Sequence, residues 1–162
     1  MEEEKQVDLA SYDYLVSEMI KQGVKRPSQE SNQINSFLCL TRKHRLSPTK
    51  QQLCLLVDKF CTQPQMEQMS LDQRFNILQL VATFESRVCR VTLQEPYFDE
   101  LHDFYELEID GFAGQNIDRI DHAVVLKSLT SALLRAKYRP ADAPLFFSRL
   151  GERTLELLRP HR

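Results

Sequence analysis

Asp99, Asp103 and Glu106 recur at spacings of four and three, and so fall on one face of any helix that carries them. Such a row could hold a cation or share acid and base roles between neighbours. Acid–base work also needs a cleft and a displaced pKa, and nothing in the surrounding sequence supplies either, so the row reads as a solvated face. The histidines are no better placed. His102 adjoins Asp103 and His122 adjoins Asp121, and adjacent residues on a helix do not face each other. His44 falls in a connector and His161 near the end, and none has the His-x-x-x-His spacing of a metal site. Cys39, Cys54, Cys61 and Cys89 contain no Cys-x-x-Cys, although Cys54 and Cys61, seven apart, can share a helix face. They read as small buried hydrophobes in a reducing compartment. Gly111 and Gly114 precede Gln115-Asn116 rather than the Lys-Ser/Thr of a phosphate-cradling loop. The sequence therefore predicts no catalytic residue, no cofactor and no metal ligand set: it does not read as an enzyme.

Charge is unevenly distributed along the chain. Nine acidic residues lie between Glu95 and Asp121, against the single base Arg119. The closing segment carries Lys127, Arg135, Lys137, Arg139, Arg149, Arg153, Arg159 and Arg162, and a second basic group, Lys21, Lys25, Arg26, Arg42, Lys43 and Arg45, lies near the start. Two readings follow: solvated helix faces with cations near helix C-termini, or a dipolar surface that orients docking on a charged partner. With 21 Lys and Arg against 23 Asp and Glu, the net charge of −2 does not suit a surface devoted to phosphates.

These residues must be positioned by helices. The 162 residues are 42% apolar, with no Trp and only four Gly, which suits a helical globule with a real core. No apolar run approaches the ~20 residues of a membrane span, and the acidic Met1-Glu2-Glu3-Glu4 start reads as neither a signal peptide nor an uncleaved transit peptide. Seven helices are predicted. The first two cover about 8–22 and 28–43, joined at Gly23 and Pro27, with Ser28 as a cap. The third runs from near Ser47-Pro48 to about Thr62 with Leu53, Leu56, Val57 and Phe60 on one face. Ser70-Leu71-Asp72 opens a long fourth helix through Phe75, Leu78, Val81 and Phe84, and a fifth starts near Glu95-Pro96. Asp110 to Asn116 is predicted as a loop, Asp118 or Asp121 as the cap of the sixth helix, and Pro140 to Pro144 as the lead-in to the seventh. Tyr97, Phe98, Phe104, Tyr105, Phe146 and Phe147 recur at helical spacings and read mainly as core.

A faint internal repeat is visible. A shift of 49 lays Leu80 on Leu129, Phe84 on Leu133, Tyr97-Phe98 on Phe146-Phe147 and Leu101 on Leu150. The prediction is a single all-α repeat domain over 1–162: a leading helix and joint (1–27), then three stacked antiparallel hairpins at 28–69, 70–117 and 118–162, in an α-solenoid-like array. Residues 15–38, with Met19, Gly23 and Pro27 at a helix–turn–helix joint, resemble the junction between pentatricopeptide repeats. In that family an Asn near the start of each first helix helps to read an RNA base. Phe75-Asn76-Ile77-Leu78 fits that pattern and Ser31-Asn32-Gln33-Ile34 fits loosely, whereas the third hairpin has Val124 in the equivalent place. The size and layout are also similar to those of small repeat-type accessory subunits on the catalytic head of euglenozoan mitochondrial ATP synthase. What the resemblance implies is a non-catalytic structural subunit of a mitochondrial assembly, at the matrix or the matrix face of the inner membrane, bound to partner protein subunits and foremost to the ATP synthase head. The alternative is an RNA-binding component of a mitochondrial ribosome or RNA-processing complex, with Asn32, Asn76, Arg42, Lys43 and Arg45 as contacts.

Overall fold

The structure, a computed structural model, describes residues 9–22, 27–92, 99–136 and 138–159, without the side chains of residues 9, 22, 27–32, 89–92 and 99. Among the described residues it is all-α, with no strand. The chain forms two compact units, Met1–Met69 and Ser70–Arg162.

In the first unit, α1 (Leu9–Gln22) packs on α3 (Lys50–Phe60), and α2 (Pro27–Lys43) touches α3 and α4 (Gln63–Glu67). The core follows the helical period: Tyr12 and Val16 on α1, Ile34 and Leu38 on α2, and Leu53, Leu56, Val57 and Phe60 on α3 are all buried. Tyr12 stacks on Phe37 with ring centroids 6.0 Å apart, and Gln52 Nε2 donates to Asp13 Oδ1 at 3.1 Å, tying α3 to α1.

A Ser/Thr-x-x-Gln pattern starts three helices. At α3 the Thr49 hydroxyl accepts from the Gln52 N–H (3.2 Å), and the Gln52 side chain accepts from the Thr49 N–H (2.9 Å). Ser70 and Gln73 repeat the exchange at the next long helix, both bonds at 3.2 Å. At α4 the Gln65 side-chain oxygen accepts from the N–H and hydroxyl of Thr62. Each exchange satisfies N–H groups that a helix start otherwise leaves open. Thr49→Ala should cost about 1 kcal/mol, read as a lower urea midpoint with an unchanged slope.

The second unit is built around α5 (Leu71–Thr92). Phe75, Ile77, Leu78, Leu80, Val81, Ala82 and Phe84 are fully buried, so the helix is enclosed on more than one face. Its most extensive neighbour is α8 (Ala123–Arg135), which turns Val125, Leu126, Leu129 and Ala132 inward. A 3₁₀ turn (Asp99–Leu101) leads into α6 (His102–Tyr105), a π-helical segment (Glu106–Ala113), α7 (Gly114–Asn116) and a second 3₁₀ turn (Ile117–Arg119). The amphipathic α9 (Ala143–Leu158) rests on α8 and on that second turn.

Several predicted boundaries are corrected. Asp110 to Asn116 is not a loop: Ile109, Ala113 and Ile117 recur every four residues in the core, which keeps this backbone helical, and neither Gly111 nor Gly114 has positive φ. The helix at Ala123 starts at His122, without a side-chain cap. Asp118 and Asp121 instead reach Arg149 and Arg153, at 3.6 and 3.5 Å. Pro27 is itself the first residue of α2, so Ser28 lies inside the helix rather than at its cap. Pro48 precedes the cap of α3, which ends at Phe60 and leaves a separate α4 that the sequence reading missed. Asp142 does cap α9, accepting from the Leu145 N–H at 3.2 Å. Gly23 and Glu95-Pro96 lie outside the described residues.

Candidate functional site

The second unit buries a polar cluster around the π-helical segment. Arg74 on α5 and Glu108, whose side chains are 6% and 2% exposed, form a two-pronged ion pair: Nε donates to Oε2 at 3.1 Å and Nη2 to Oε1 at 2.6 Å. The guanidinium lies 3.5 Å from the centre of the Phe112 ring, which meets Phe75 edge-on at 5.7 Å. Burial pushes the Glu108 carboxyl above its ordinary range, opposed in part by the hydrogen bonds and charge of Arg74.

That direction fixes a pH dependence. A raised folded-state pKa means that the folded chain favours the neutral acid. The stabilising contribution is full below the unfolded value, 4.5, and is lost as pH rises through the folded value. The stability of the wild type relative to Glu108→Gln should therefore be greater near pH 4.5 than at neutrality, read by urea unfolding at each pH. A gap that widened with rising pH would mean that the Arg74 pairing outweighs burial.

A second set of contacts holds the connector between α8 and α9. Tyr105 donates to Glu85 Oε1 at 3.0 Å and stacks on Tyr138 with ring centroids 6.1 Å apart. The Tyr138 hydroxyl donates to Asp110 Oδ2, and the Ala141 N–H donates to Asp110 Oδ1 at 2.8 Å. Isolated π-turns often mark functional sites. Here the polar side chains of the π segment that are buried or half-buried, Glu108 and Asp110, are engaged by Arg74, Tyr138 and Ala141, so they build the scaffold.

What that scaffold positions is a groove of about 510 Å³ between the end of α8, the connector and the first half of α9. Leu133, Leu134, Ala136, Tyr138, Pro140, Phe147 and Leu150 supply most of its wall, and Arg139 is at its rim. Leu134 is 82% exposed and Phe147 is 43% exposed. The hollow is within the size range of ligand clefts, and two of the large apolar side chains that line it are exposed to solvent. Phe147 reads as core in the sequence and Leu134 carries no assigned role; the signal that marks Leu134 is its position on α8 opposite the buried Val125, Leu129 and Ala132, whereas Phe147, one residue from the buried Phe146, carries no such signal.

The other predicted positions fall as follows. Arg42 and Lys43 end α2, and Arg45 follows in the left-handed region (φ 57°), all three exposed in the first unit. Asn76 is half-buried on α5, in the second unit, and the Asn32 side chain lies outside the described residues. Asp103 and Glu106 are exposed, with His102 Nε2 3.4 Å from Glu106. Among the described residues no three His, Cys, Asp or Glu side chains converge as a metal site. Cys39, Cys54 and Cys61 form no disulfide, and among the described residues no helix is long and apolar enough to cross a membrane. Part of the predicted charge segregation is met within the unit: Arg149 and Arg153 of the basic closing segment reach Asp118 and Asp121 of the acidic block, and Arg74 reaches its Glu108.

Fold and groove together define an all-α protein with an apolar hollow beside its last helix. No protein-family model matches the chain, and comparison with curated proteins and with solved structures returns no match either.

Proposed function

We propose that this chain is a non-catalytic subunit of a larger assembly and binds a partner protein through its helical surface. The observation that carries the reading is the groove beside α9, where Leu134 and Phe147 stand exposed at the margin of an apolar wall. In this reading the apolar centre supplies affinity and the charged margin sets orientation. The joint-like residues 15–38 and the repeat outline favour a mitochondrial complex, with the catalytic head of the ATP synthase as first partner. A second reading, contact with RNA in a mitochondrial ribosome or RNA-processing complex, draws on the exposed bases Arg42, Lys43 and Arg45 at one helix end.

Sedimentation of the tagged full-length chain from mitochondrial lysate, with and without RNase, tests both. The chain should migrate with ATP synthase subunits despite RNase, and Leu134→Asp should release it to low mass. The substituted side chain is solvent-facing, so its stability should change by less than about 0.5 kcal/mol. Migration that collapses on RNase treatment, in company with ribosomal or RNA-processing proteins, would favour the RNA reading. Migration at the mass of the free chain would overturn both.

A further inference from the structure

The groove is continuous with a second feature, along α9. Phe147, Gly151, Leu155 and Leu158 follow one another at spacings of four, four and three, which sets them on one side of the helix. Phe147 borders the groove; Leu155 and Leu158 are 63% and 66% exposed. Gly151 is exposed in mid-helix, where glycine is unfavourable. A Cβ added there would meet nothing within 4 Å, so packing inside the unit does not require the glycine. A bare backbone at the centre of an exposed apolar stripe admits close approach by another helix.

Charge narrows the occupant. Arg149 and Arg153 are turned inward, donating to the Gly114 carbonyl (2.5 Å) and the Ile120 carbonyl (2.7 Å). Arg139 at the groove end and Arg159 at the far end are exposed and make no ion pair among the described residues. The stripe thus has a cation at either end. Antiparallel pairing of two copies about Gly151 would set Phe147 against Leu155 but would bring Arg159 of one copy towards Arg139 of the other, like charge to like. A helix with carboxylates towards both ends and a base opposite the exposed Glu152, beside Gly151, has no such conflict. We infer that the groove and the Phe147–Leu158 side of α9 receive an amphipathic helix of a different protein, its apolar stripe on Gly151 and its carboxylates opposite Arg139 and Arg159. This rests on the partner-binding reading above.

A photocrosslinking amino acid at the exposed Ser148, in the full-length chain in its native cells, identifies the occupant by sequencing the joined peptide. The expected peptide belongs to another protein, carries leucine-type residues at three- and four-residue spacings and is flanked by Asp or Glu. Its yield should fall about tenfold in Gly151→Leu and in Arg139→Glu, while the melting temperature of Gly151→Leu does not fall, since the side chain enters open space and replaces a poor helix former. A peptide from this same chain, a basic peptide, or no peptide would overturn the inference. If the chain still sediments with its assembly in that case, the partner-binding reading survives; if it sediments alone, that reading fails as well.

Discussion

Arg74→Met alone should destabilise the protein by about 3–5 kcal/mol, and Arg74→Met combined with Glu108→Leu should recover most of that loss. The single change leaves a buried carboxylate, 2% exposed, without its two donors. The double change removes both charges from a site already walled by Phe75 and Phe112. The asymmetry arises because the cost of dehydrating two ions nearly cancels their attraction, the same balance that raises the Glu108 pKa. Urea unfolding of the two variants beside the wild type measures it. A double variant as unstable as the single one would show that the pair is a net source of stability.

Phe84→Ala should cost about 3–5 kcal/mol. Phe84 is fully buried on α5, among the largest enclosed side chains of the second unit, and flanking Leu80 and Val81 are fully buried too. Neighbours held on an enclosed helix collapse poorly into a void, which places the expected loss in the upper part of the range for large-to-small changes. Val124→Ala on α8, 75% exposed, is the matched control and should stay within about 0.5 kcal/mol. Equal losses at the two positions would refute the enclosure of α5.

Helix type was legible wherever apolar spacing and a chemical start signal agreed. Leu53, Leu56, Val57 and Phe60 gave α3, and Asp142 with Pro144 gave the start of α9. Legibility failed where tertiary contacts redirect a local signal. Asp118 and Asp121 look like caps in isolation but are drawn to Arg149 and Arg153. The glycines of residues 110–116 look like a turn, yet the buried Ile109, Ala113 and Ile117, four residues apart, keep this backbone helical. The Arg74–Glu108 pair joins residues 34 apart and carries no local signature. The groove was equally invisible, because helical period separates inner from outer faces but does not say which outer faces converge. Ser70 marks its helix start in the sequence, and the Thr49 and Thr62 starts carry the same Ser/Thr-x-x-Gln spacing.

The π-helical segment has a consequence for the phase of everything after it. Hydrogen bonds from i to i+5 wind more residues into each turn than the 3.6 of an α-helix, so eight residues of this winding rotate the following backbone relative to an uninterrupted α-helix. The Gly114 and Ile120 carbonyls that receive Arg149 and Arg153 lie downstream of that rotation. The azimuth of α9, and with it the direction in which Phe147 and Leu155 face, therefore depends on the length of this winding as well as on the side chains that fasten the helix to it. Adding or removing a single residue between Glu106 and Ala113 would turn that face, whereas substitution of the exposed Glu106 or Leu107 would leave its bearing unchanged.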